Sequence, residues 1–125
     1  MNSDKFSMKS RLESFRFAFN GISSLLKNEH NAWIHLLAAI VAVATGIILK
    51  IRPGEWCMLI MVIGLVFIAE LLNTSLEAIA DAVDPEWNEK IRKAKDYSAA
   101  AVLISAITSV IVGGLIFIPR LLQLI

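Results

Sequence analysis

The chain has 125 residues, a formal net charge of +1 and a hydrophobic fraction of 57%. That length suits one domain, and the apolar fraction exceeds what a soluble domain of this size normally carries. The charge balance alone says nothing about partners, and the single cysteine, Cys57, excludes an internal disulfide and any Cys-based zinc cage.

In chain order, residues 1–10 are expected to be disordered. They do not read as a cleavable signal, because Lys5, Lys9, Arg11, Glu13 and Arg16 interrupt any apolar run. Over 11–28, Leu12, Phe15, Phe19, Ile22 and Leu26 recur at spacings of three and four, with Arg16, Asn20, Ser24 and Lys27 on other faces. This pattern predicts an amphipathic helix on a membrane surface.

A first span is expected at 32–50. Residues 32–49 carry no fixed charge and only His35 as an ionisable ring, read here as a satisfied buried imidazole. The link at 50–55 contains Pro53-Gly54 and predicts a tight turn. A second span with a polar extension is expected at 56–82. Its 14 uncharged residues, 56–69, give about 21 Å of helix, too short for about 30 Å of hydrocarbon unless the helix continues past Glu70. A loop is expected at 83–95 and a third span at 96–118, where residues 97–118 form another uncharged run. Trp33, Trp56 and Trp87 suit interfacial belts. The fold class read from this is all-α integral membrane, with three transmembrane helices and an N-terminal amphipathic surface helix.

Nine of the lysines and arginines precede span one or lie between spans two and three, and three lie on the opposite side. The positive-inside rule puts the N-terminus and the 83–95 loop in the cytoplasm of a multi-pass membrane protein.

The chemistry is concentrated in Glu70-Leu-Leu-Asn73-Thr74-Ser75-Leu-Glu77-Ala-Ile-Ala-Asp81. At about 100° per residue, positions 70, 73, 74, 77 and 81 fall within one arc of about 100°. An acid at membrane depth is expensive and calls for a role. Carboxylates with an amide at this level suit magnesium, which takes a few carboxylates plus substrate phosphates. Glu29, Lys95 and Asp96 are expected at the same membrane face, Lys95 to balance phosphate charge. Glu70, the deepest acid, suits the general base for a lipid hydroxyl. The usual nucleotide glycine motifs are absent. Two other readings stay open from the residues: a small carboxylate-based transporter or proton relay, and an assembly subunit whose polar stripe joins helices. No nucleic-acid partner is expected.

Glu70, Asn73, Thr74, Glu77 and Asp81, followed at the appropriate separation by Ala94-Lys95-Asp96, resemble the bacterial integral-membrane lipid kinases, the prokaryotic diacylglycerol kinase and undecaprenol kinase family. Glu29-x-Asn31-x-x-x-His35, Glu55-Trp56 and the run 116–120 are similar to the undecaprenol kinase branch. The resemblance implies a homotrimer with shared active sites and an ATP-dependent phosphorylation of a membrane lipid alcohol, undecaprenol or diacylglycerol. It implies Glu70 as catalytic base, Glu29 and Glu77 as ligands of a Mg2+ that bridges ATP phosphates, and Asn73, Lys95 and Asp96 as nucleotide contacts. Glu86 and Trp87 would lie near the nucleotide in the loop, and Arg11 and Phe17 at its N-terminal contacts, Phe17 standing where some relatives have tyrosine.

Overall fold

The computed structural model describes residues 7–83 and 88–125, all of whose regular structure is helical. Four helices follow in order: α1 Met8–Asn28, α2 His30–Ile48, α3 Pro53–Val83 and α4 Glu89–Leu122. The last three are long and apolar enough to cross a membrane, and most of their large apolar side chains face outward from the chain. An apolar exterior of this kind is stable in lipid and not in water; this is a membrane protein.

Local sequence sets the boundaries. Ser7 caps α1, its Oγ accepting from Ser10 N at 3.4 Å, so the helix starts at Met8 rather than at the expected residue 11. One extended residue, Glu29 (φ −111°, ψ 113°), separates α1 from α2. Trp33 fixes that corner by donating its indole N–H to Leu26 O at 2.5 Å.

The α2–α3 turn is a Schellman motif: Ile51 N donates to Gly46 O at 3.2 Å and Lys50 N to Ile47 O at 3.3 Å. Lys50 supplies its left-handed residue (φ 52°). Beyond it, Pro53 takes the first helical position, where a missing N–H costs nothing. Glu55 reaches back to accept from Arg52 N at 3.1 Å, half of a capping box.

α4 begins at Glu89, inside the stretch expected as loop, because Asn88 Oδ1 accepts from Lys90 N at 2.9 Å and Ile91 N at 3.5 Å. It also continues through Pro119 to Leu122.

α3 is the central element. α4 packs along much of its length, α2 packs on it more sparsely, and α1 touches both α2 and α3. The cross-links run in opposite senses along the chain: Asp81 with Lys95, Asn73 with Ser98, and Glu55 with Arg120. α3 and α4 are therefore antiparallel. The core sits at the turn end, where Ile51, Leu59 and Ile116 are buried among Ala42, Trp56, Val112 and Phe117. Arg120 closes that end, donating through Nη2 to Glu55 Oε1 at 2.6 Å and through Nη1 to Leu49 O and Lys50 O at 3.4 Å each. The opposite end holds the polar stripe.

Candidate active site

The stripe on α3 forms as the helical spacing requires, and its depth is graded. Glu70 is 3% exposed, Asn73, Thr74 and Glu77 are half-buried, and Asp81 is exposed. Each polar group at the deep end has a defined setting. Glu70 Oε1 lies 2.9 Å from His35 Nε2 of α2. Asn73 bridges, accepting from Ser98 Oγ of α4 at 2.8 Å and donating from Nδ2 toward Glu77 Oε1 at 3.4 Å. Thr74 Oγ1 is enclosed without a hydrogen-bond partner among the described residues.

At the exposed end Lys95 Nζ donates to Asp81 Oδ1 at 2.7 Å. Lys95 precedes the apolar run that starts at Tyr97, and its ammonium is held above the ordinary lysine range, chiefly by the hydrogen bond to Asp81 and then by the charges of Asp81 and Glu77. Asp96, one residue on, points elsewhere and accepts from Arg92 Nη1 at 3.0 Å, while Arg92 also pairs with Glu89.

Of the residues singled out from sequence, Glu70, Asn73, Glu77 and Lys95 therefore share one α3–α4 surface. Glu29 is half-buried at the α1–α2 corner, and as N-cap of α2 its side chain makes no capping bond, which leaves the carboxylate uncommitted. Arg11 and Phe17 lie on exposed faces of α1. Glu86 and Trp87 lie outside the described residues. Two partners at the site were not assigned a role there from sequence: His35, read as a satisfied buried imidazole, meets Glu70, and Ser98 meets Asn73.

Among the described residues no group of three or more His, Cys, Asp or Glu is placed to hold a metal by itself. The donor set fits a different kind of site. Magnesium dehydrates reluctantly and is usually held by one or two carboxylates together with substrate phosphates. Among the described residues Glu77 has a long bond from Asn73 and Glu29 makes no capping bond, so both retain coordinating capacity.

Beside His35 lies a partly open pocket of about 170 Å³ between α2, α3 and α4, lined mainly by Ala38, Ala42, Val62, Val66 and Gly113, with His35 and Ser109 as its polar groups. A mostly apolar lining suits a hydrocarbon occupant.

Comparison with known proteins gives the family. The family profile of prokaryotic diacylglycerol kinase matches residues 16–117. A diacylglycerol kinase of Synechocystis is 38% identical over 114 residues, 90% of this chain and 65% of that protein. The undecaprenol kinase of Bacillus subtilis is 35% identical over 109 residues, 87% of this chain and 89% of that protein. A diacylglycerol kinase of Escherichia coli K12 is 33% identical over 95 residues, 76% of this chain and 78% of that protein. The chain therefore belongs to the prokaryotic diacylglycerol kinase family of membrane lipid kinases.

Proposed function

We propose that the protein transfers the γ-phosphoryl group of ATP to the hydroxyl of a membrane lipid alcohol, undecaprenol or diacylglycerol, at the cytoplasmic face of the bacterial inner membrane. The observation that carries the reading is the graded stripe: one buried acid, then an amide and two further acids toward the exposed end, with Lys95 beside the last. A lipid hydroxyl and a nucleotide approach from opposite directions, and this stripe presents a base to one and charge-matching groups to the other.

In the step itself the lipid oxygen bonds to the γ-phosphorus, the bond to the β,γ-bridging oxygen breaks, and ADP leaves. The hydroxyl proton goes to Glu70, which is suited to it by depth. Phosphoryl transfer asks mainly for positioning and charge neutralisation, so a sparse residue set suffices. Glu77 and Glu29 would hold a magnesium ion, which when bound supplies charge neutralisation between the ATP phosphates. Asn73, held by Ser98, keeps the Glu77 side oriented. Lys95 and Asp96 serve the nucleotide, and Arg11, Phe17, Glu86 and Trp87 complete its contacts, in part across subunits of a homotrimer.

α1 presents Leu12, Phe15, Phe19 and Ile22 outward, which suits a helix resting on the headgroups with the N-terminus in the cytoplasm. The relatives named above are kinases, which supports phosphotransfer rather than transport. The experiment is lipid-phosphate formation by purified protein with ATP, magnesium and each lipid alcohol, alongside a stripe variant, Glu77→Gln. The reading expects that variant to lose metal-dependent nucleotide binding. No product from either alcohol with the wild-type protein overturns it.

A further inference from the structure

We propose that His35 is a positioning residue for Glu70: its Nε2–H donates to Oε1 and fixes the carboxylate with Oε2 turned to the incoming hydroxyl. This deepens the phosphotransfer reading and rests on it. Glu70 is 3% exposed and its recorded hydrogen bond is the one to His35, 2.9 Å long. A carboxylate out of water needs a hydrogen-bond partner. An ionised carboxylate only accepts, so the imidazole must carry its proton on Nε2.

The second oxygen is left for chemistry: the recorded bond to His35 engages Oε1, and no bond to Oε2 is recorded among the described residues. The same imidazole lines the largely apolar pocket between α2, α3 and α4. A hydroxyl at the end of a hydrocarbon chain in that pocket therefore arrives beside the ring that orients the base. Because His35 and Glu70 stand on different helices, the bond also sets where α2 lies relative to the stripe. A base held within hydrogen-bond reach of its proton is worth far more than one free to rotate.

The test compares wild type, His35→Leu and His35→Gln in the same preparation, following lipid-phosphate formation and thermal melting. Leucine removes the donor, whereas glutamine restores an N–H at similar reach. The expected result is kcat about 10–100-fold lower in His35→Leu, with KM for ATP and for the lipid within about twofold, and recovery of most of kcat in His35→Gln. A purely structural role would lower melting temperature in step with activity and show no such rescue. If His35→Leu does not assemble, His35→Gln decides: most of kcat retained supports the role, and a loss as large as expected for leucine overturns it. Full kcat in His35→Leu, or a change in KM alone, overturns the role of His35 while leaving the kinase reading intact. Absence of lipid phosphate from wild type overturns both.

Discussion

The close approach of α2 to α3 makes Gly46 a sharp probe of the packing that carries His35. A Cβ at position 46 would lie 2.9 Å from Trp56 Cη2, 3.1 Å from Trp56 Cζ2 and 3.1 Å from Ile51 Cδ1. Contacts that short force a shift, and the Trp56 ring cannot swing away easily because it packs in the cluster of Ile51, Leu59 and Ile116. Overpacking of this kind costs about 1–3 kcal/mol, or about 4–12 °C in melting temperature for a chain of this length. Relief by parting α2 from α3 would also move His35, 11 residues or about 16 Å further along the same face of the bundle. Gly46→Ala is therefore expected to melt lower in detergent, and Trp56→Phe, which removes the outer ring atoms, is expected to recover part of that loss. The cycle should be non-additive, as contacting residues are. Gly46→Ala at wild-type stability, or strict additivity with Trp56→Phe, would refute the steric account.

The remaining predictions concern the two ends of the bundle. Arg120→Met should lower melting temperature modestly, because Glu55 and the carbonyls of Leu49 and Lys50 lose a common donor and solvent screens the pair; thermal unfolding reads it. Lys50→Gly should be neutral or stabilising by up to about 1 kcal/mol, since glycine adopts the left-handed conformation at φ 52° without a Cβ penalty, whereas Lys50→Val should destabilise in the same assay. Ser98→Ala releases Asn73 and should raise KM for ATP about 2–10-fold, the equivalent of one hydrogen bond of about 0.5–1.5 kcal/mol, with kcat less affected in steady-state kinetics.

Much of the architecture could be read from the residues because lipid imposes a simple rule. Uncharged runs long enough to cross must be helical, and polar residues spaced at 70, 73, 77 and 81 must then share a face. What could not be read was the partner of each group. His35 meets Glu70 across 35 positions, and Ser98 meets Asn73 across 25; such pairings depend on the relative height of neighbouring helices, which no local spacing encodes. The α4 start was missed for a different reason. Lys90, Arg92, Lys93 and Lys95 look like loop by charge, but Asn88 is a strong N-cap and Arg92 reaches both Glu89 and Asp96 at helical spacing, so the charged stretch is the solvated first turns of a helix.

The central claim is that Glu70 takes the proton of a lipid hydroxyl, and Glu70→Gln addresses it most directly. Glutamine keeps the shape and can still bond to His35, yet it cannot accept and hold a proton. Single-turnover formation of lipid phosphate, measured beside ATP binding on the same sample, should fall about 10²–10⁴-fold with binding unchanged. Wild-type turnover in that variant would contradict the account.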